Sequence, residues 1–174
     1  KKKLALFLFN DSFMMQEAAD AIKKTFDESG ILKKNNIALD TKCAQNEFTN
    51  AQSIAADIVN KKYDYIISLS TPALQVMANA NKKIPHVFGF VTDPYRMGVA
   101  KSSNEHQANL TGVATMQPVS STFRVMREVF PKAKRVGIVW NPAEACSEAC
   151  TFAARAAAKK YGFQLIEINI SATN

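Results

Sequence analysis

The sequence predicts an α/β fold built on a parallel sheet, and three observations carry that expectation. Short apolar runs alternate with stretches whose apolar residues recur at helical spacing, joined by short links. The first run, Leu4–Phe9, is apolar throughout, as befits a strand covered on both faces. Three runs end in a short polar turn and then a proline: Ile66–Pro72, Val87–Pro94 and Val136–Pro142. Open sheets of this kind bind ligands beyond the carboxyl ends of their strands, so the repeated turn suggests a binding crevice.

Taken in order, Leu4–Phe9 is the first strand, and the loop Asn10-Asp-Ser-Phe13 leads into a helix carrying Met15, Ala18, Ala19, Ile22 and Phe26 on one face. Gly30 suits the left-handed position that ends a helix. Ile37–Cys43 alternates and reads as a second, half-exposed strand. Asn50–Asn60 is an amphipathic helix with Ala51, Ile54, Ala55, Ile58 and Val59 facing inward. Asp64–Leu69 is the third strand. A helix to about Ala80 follows, with Thr71 as its N-cap and Pro72 at its first position. His86–Val91 is the fourth strand.

Thr92–Ala108 has no period and is rich in turn residues, so it reads as a long loop. Leu110–Thr115 is a further strand. The next helix places Phe123, Met126, Val129 and Phe130 inward, leaves Arg124 and Arg127 to solvent, and stops at Pro131. Arg135–Trp140 is a strand, Ala143–Tyr161 an Ala-rich helix stopped by Gly162, and Phe163–Ile170 a last strand. A boundary between Thr115 and Pro118 divides the chain into a first α/β lobe, residues 1–115, and the start of a second, residues 116–174. Two helices and two strands fall short of a full sheet, so the second lobe is expected to be incomplete.

Composition excludes several classes. At 174 residues, with 47% hydrophobic and 21% charged residues, the chain is globular and too apolar for disorder. No apolar run approaches the roughly 20 residues that span a bilayer. Lys1-Lys-Lys3 before Leu4–Phe9 mimics an export signal, but the run is too short and no small-residue cleavage site follows. The net charge of +7 raises nucleic acid as a partner. The lysines, however, fall in scattered pairs near helix ends without interleaved aromatics, so solvated surface is expected and nucleic acid is not.

No dinucleotide fingerprint, phosphate-binding loop or nucleophile elbow occurs, and neither His86 nor His106 has an evident nucleophile partner. Cys43, Cys146 and Cys150 form no disulfide framework by spacing. Cys146 and Cys150 share a helix face, and a zinc site would need two more ligands, so packing thiols are expected. No catalytic residue, metal or cofactor is expected, and the chain reads as a binder rather than an enzyme.

The strand ends nominate Asn10, Asp11, Ser70, Thr71, Thr92, Asp93 and Asn141. Asn10, Asp11 and Ser12 suit a cap or turn as well as a ligand. Thr71 and Asn141 suit caps, Thr92-Asp93-Pro94 suits a plain turn, and Asp93 equally suits a ligand amine or a hinge. Phe13, Phe88 and Phe90 are core by default, and only Phe13, placed in a loop, is free to stack on a ligand. The helix start at Ser70-Thr-Pro72 favours an anion, since orphan N–H groups and the helix dipole act together there.

The motifs Ser70-Thr-Pro-Ala-Leu-Gln75, Ile84-Pro85 through Val91-Thr-Asp-Pro94, Asn109-Leu-Thr-Gly-Val113 and Asn141-Pro-Ala-Glu-Ala-Cys-Ser147 span nearly the whole chain. In order and spacing they resemble the substrate-binding proteins of ABC transporters of the tryptophan/tyrosine-type group. The resemblance implies a type I periplasmic-binding-protein fold, with two Rossmann-like α/β lobes joined by a hinge and closing on a small ligand. It implies export to the periplasm, or a lipid-anchored extracellular form, and a membrane permease as partner. It also adds Glu144, Cys146 and Ser147 to the candidate contacts. Two departures bear on the ligand. Ala143 and Cys146 stand where the family usually has Gly and Asn, which removes an amide donor and acceptor. Asn10–Phe13 replaces the usual His-Pro loop.

The expected function is thus the solute-binding component of an importer. The ligand is a small polar molecule such as an amino acid, with its carboxylate at a helix start, its amine near Asp93 or Glu144 and its side chain against Phe13. A ligand-sensing domain of a receptor, or a flavodoxin-like enzyme, are the alternatives. Should 174 residues be the whole mature chain, its bare sheet edge and apolar faces predict self-association.

Overall fold

The structure, a computed structural model, describes residues 1–170 and consists of two compact units, Lys1–Ala114 and Thr115–Asn174. In the first unit the strands β1 (Lys2–Leu8), β2 (Ile37–Cys43), β3 (Tyr65–Leu69), β4 (His86–Val91) and β5 (Leu110–Ala114) form one parallel sheet in the order β2-β1-β3-β4-β5. β1 lies inside the sheet and is buried from Leu4 onward, whereas β2 is an edge strand and only half-buried, as its alternation predicts. Leu6, Leu8 and Leu69 pack on one face against Met15, Ala18 and Ala19 of α1 (Phe13–Ser29). Ala5, Phe7 and Ile66 pack on the other against α3 (Phe48–Asn60) and α4 (Thr71–Ala80). Small alanines on the inner helix faces let these helices lie close to the sheet.

Several expectations are corrected here. Phe13 is not in the loop: it is the first residue of α1, and it is 78% exposed. Gly30 ends α1 in the left-handed region as predicted, but it also opens a short helix, α2 (Ile31–Lys34), too brief to show a period. Phe90 is not core. The pairing of β4 with β5 slips between Phe88 and Val91, and Phe90 takes up the irregularity at φ 55.

In the second unit, β6 (Arg135–Trp140) and β7 (Gln164–Asn169) form a two-stranded parallel sheet beside α5 (Val119–Val129) and α6 (Ala145–Tyr161). Phe123, Ala154, Ala157, Ala158 and Phe163 make its core. Val129 and Phe130 were expected inside, yet they are 60% and 61% exposed, because α5 ends at Val129 and the chain turns there. Arg127, expected in solvent, lies 3.8 Å over the Phe163 ring. Its guanidinium donates to the carbonyls of Tyr161 and Gly162 at the end of α6 and to those of Pro131 and Ala133 in the link after α5.

Candidate functional site

A 2-1-3-4-5 strand order reverses direction between β1 and β3, and the crevice at such a switch point is where open α/β sheets take ligands. The segments leaving those two strands are Asn10–Phe13 and Ser70–Thr71, so the topology brings these candidate residues to one end of the sheet. Asn10 Oδ1 accepts from the Ser12 N–H at 3.2 Å, which sets the turn, while Asp11 and Phe13 are exposed. Ser12 stands at the N-cap position without a capping hydrogen bond from its side chain.

At the start of α4 the cap differs from the expectation. Ser70, not Thr71, is the N-cap, in an unusual conformation at φ 90, and Pro72 lies one position further in. Thr71 Oγ1 instead accepts from the Thr92 N–H at 3.2 Å, tying the end of β4 to the helix start. The Ser70 N–H donates to Gly89 O at 3.0 Å, and Ser70 Oγ is buried without a hydrogen-bond partner. A buried hydroxyl left unpaired costs stability, and this one sits at the N-cap of α4. Asp93 Oδ1 accepts from the N–H groups of Tyr95 and Arg96 at 3.0 and 3.1 Å, and Oδ2 faces the Arg96 guanidinium at 3.7 Å. Its carboxylate thus organises the turn that follows Thr92.

The turn after β6 has its own network. Asn141 Oδ1 accepts from Ala143 N–H at 3.0 Å, its amide donates to Glu144 at 3.2 Å, and its backbone N–H donates to Ser147 Oγ at 3.0 Å. Asn141 therefore shapes the turn rather than capping the helix: α6 begins at Ala145, with Glu144 in the cap position. Glu144, Cys146 and Ser147 share with Phe123, Trp140 and Cys150 the lining of a cavity of about 460 Å³ in the second unit. Burial, then the nearby Glu144 carboxylate, pushes the Cys146 thiol up; burial, then Cys146, raises Cys150. Neither is activated as a thiolate, and Cys150 donates to Gln117 Oε1 at 3.1 Å, as packing thiols do. Among the described residues no cluster of side chains fit for a metal occurs.

One pairing was not visible in the sequence. His86 Nε2 lies 2.7 Å from Ser68 Oγ, so His86 does have a hydroxyl partner. The two are diagonal neighbours on β3 and β4, a relation that only strand register creates. Ser68 is wholly buried and His86 is 2% exposed, so the pair belongs to the core and not to a reactive centre. A larger hollow, about 660 Å³, lies at the amino ends of β4 and β5 beside Lys82, Lys83 and His106, and it contains none of the candidate residues.

Comparison with known proteins places this geometry in a family. The family model for ABC transporter substrate binding proteins matches residues 3–174. The tyrosine-binding protein of Clostridioides difficile is 31% identical over 160 residues, covering 92% of this chain and 46% of that protein. Among solved structures, an ABC domain in complex with L-Trp from Streptococcus pneumonia superposes with a TM-score of 0.90 at 20% identity, covering 99% of this chain and 58% of that one. A ligand-free, open substrate-binding protein with adhesive properties from Clostridium difficile superposes with a TM-score of 0.76 at 28% identity, covering 99% and 58%. The chain thus spans about half the length of the relatives that it matches. With its parallel α/β sheet, its strand-end turns and a family match over nearly every residue, the chain belongs to the ABC transporter substrate-binding protein family, in the type I periplasmic-binding-protein fold.

Proposed function

We propose that this chain is the ligand-holding part of a non-enzymatic, extracytoplasmic solute-binding protein that delivers an amino acid to a membrane permease for import. The observation that carries the reading is the helix start of α4 beside the sheet's switch point, with the buried Ser70 hydroxyl lacking a partner. A carboxylate fits there, since helix N-termini attract anions and a hydroxyl adds a donor. Asn10, Asp11 and Phe13 flank that start in the proposal, with Thr92 and Asp93 behind it. The turn Asn141–Ser147, with Glu144 and Cys146, offers the second set of contacts, so that residues 1–115 and 116–174 act as two lobes on one ligand. The tyrosine-binding relative supports an amino acid, and aromatic ones are the first to test.

The test is calorimetric titration of the full-length protein with the L-amino acids, alongside Ser70→Ala and Ser147→Ala variants. Binding of one or a few amino acids, weakened by both substitutions, is the expected result. If no amino acid releases heat or raises Tm, the reading fails. If only one substitution matters, the two turns do not share a ligand.

A further inference from the structure

The proposed ligand contacts leave the net charge of +7 unexplained, and the fold of the first unit distributes charge unevenly. In a parallel sheet with helical crossovers each helix runs back against the strands, so helix ends and strand starts meet at one pole. Lysines occupy that pole across four adjacent strands, in the order β2-β1-β3-β4. Lys33 and Lys34 end α2 before β2, and Lys1, Lys2 and Lys3 open β1. Lys61 and Lys62 follow α3 before β3, and Lys82 and Lys83 follow α4 before β4. Backbone bonds tie these groups together: Lys2 N–H donates to Asn36 O at 3.0 Å, Asp64 N–H to Lys3 O at 2.9 Å and Ile66 N–H to Pro85 O at 3.0 Å. At a strand spacing of about 4.8 Å, pairs scattered in the sequence become one row about 14 Å wide.

All these lysines are exposed, and among the described residues only Lys61 of the row holds an ion pair, with Asp57 at 2.9 Å. Lys2, Lys3, Lys34 and Lys82 reach only neutral oxygens, of Tyr65, Lys61, Ser29 and Ala78. Against the row stand Asp27 and Glu28 in the last turn of α1 and Asp64 before β3. The opposite pole reverses the balance. The links leaving β1 to β4, residues 9–12, 44–47, 70 and 92–96, hold Asp11, Glu47, Asp93 and a single cation, Arg96, which faces Asp93 at 3.7 Å. A helix end accounts for a cation or two, but not for the lysines that open a strand.

The row favours a lipid surface over nucleic acid. It contains no arginine, the side chain that grips a phosphate or a base edge in two places. The nearby rings are not free to stack on bases: Tyr63 is buried with Lys3 5.7 Å from its centre, and Lys2 lies 5.5 Å from that of Tyr65. Ile31, 46% exposed in α2 with Lys33 and Lys34, adds an apolar side chain that the headgroup boundary of a bilayer can take up. We propose that this pole is a docking surface for an anionic lipid bilayer. The lysine ammonium groups pair with phosphate headgroups, and the turns at Ser70 and Asp93 stay at the opposite end of the sheet. The inference is independent of which ligand those turns hold. Each lysine close to such a surface strengthens binding roughly fivefold.

The experiment is cosedimentation of the full-length protein with vesicles of equal parts phosphatidylglycerol and phosphatidylcholine, and with phosphatidylcholine alone. The wild type should bind the anionic vesicles only, and release them in about 1 M salt, where charges are screened within about 3 Å. Lys33→Gln, Lys62→Gln and Lys83→Gln together should weaken binding roughly a hundredfold. Lys132→Gln, Lys134→Gln and Lys159→Gln together remove the same charge from the second unit and should leave binding near wild type. Equal weakening by the two triple variants would make this an effect of net charge and overturn the docking surface. Equal binding to the two kinds of vesicle, binding that survives high salt, or no binding at all overturns it as well. A DNA duplex bound as tightly as the anionic vesicles overturns it in favour of a general polyanion surface. Should the first triple variant fail to fold, Lys83→Gln alone replaces it, with roughly fivefold weakening expected and unchanged binding counting against the proposal.

Discussion

His86 is the residue whose chemistry the core constrains most. Burial denies its imidazolium water and lowers its pKa from 6.5 to about 4, so it is neutral in the folded chain at pH 7. We place the proton on Nε2, donating to Ser68 Oγ, because that leaves only a lone pair, not an N–H, buried at Nδ1. On acidification the unfolded chain takes up the proton first, so this residue's contribution to stability falls as pH drops from 6.5 to about 4 and is constant below. The loss is at most about 3 kcal/mol. Asp40, held below the usual carboxylate range by the Tyr63 hydroxyl and then Lys42, loses its contribution only at lower pH, below its ordinary value of 3.8. Urea unfolding from pH 7 to 4 should therefore show a decline that His86→Gln flattens, and equal slopes for the two proteins would refute the assignment. Gly112 makes a second residue-scale prediction. A Cβ there would lie 2.3 Å from the Phe88 carbonyl oxygen and 2.4 Å from its ring. Gly112→Ala should destabilise by about 2–3 kcal/mol, and Phe88→Leu should not rescue it, since the nearest atom is backbone. Denaturant midpoints of the single and double variants check this.

At the scale of elements, α5 shows what periodicity omits. Its spacing points Phe123 and Met126 inward correctly, but it cannot show that Arg127 covers the Phe163 ring and ties the end of α6 to the link after α5. That arrangement needs a residue from another element and a turn after Val129, and neither leaves a mark on the helix's own sequence. Arg127→Ala should cost about 2–3 kcal/mol, through four unpaired carbonyl contacts and a bared ring, with Arg127→Lys recovering only part because an ammonium lacks the planar fork. An alanine variant with unchanged Tm would sink this. The strands and most helices were legible because each buries one stripe or both faces, as β1, β2 and α3 do to within two residues of their expected bounds. The start of α4 was half legible: proline marked the helix, but Thr71 gave its hydroxyl to Thr92 in the neighbouring strand, and the cap moved to Ser70. Likewise Phe90 and the Ser68–His86 pair depend on register and a bulge, which hydrophobic alternation within one strand does not encode.

For the whole molecule, the decisive fact is that both sheets are parallel, and parallel sheets are stable when both faces are covered. The second unit meets that condition on one face only. Val136, Ile138 and Leu165 turn toward the core of α5 and α6, while the opposite face shows Val139 paired with Ile168, 63% and 55% exposed, and Ile166 at 38%. In the first unit Val87 and Val113 are bare in the same way, at 45% and 66%. Such apolar faces seek a cover, and a second copy of the same residues can supply one. A protein of these residues should therefore scatter light above its monomer mass of 19.2 kDa, increasingly with concentration. Val139→Lys with Ile168→Lys charges the bare face of the β6–β7 sheet without touching the side that packs on α5 and α6, and should lower the apparent mass. A compact monomer at 19.2 kDa over the whole concentration range would show instead that these faces carry no drive to associate.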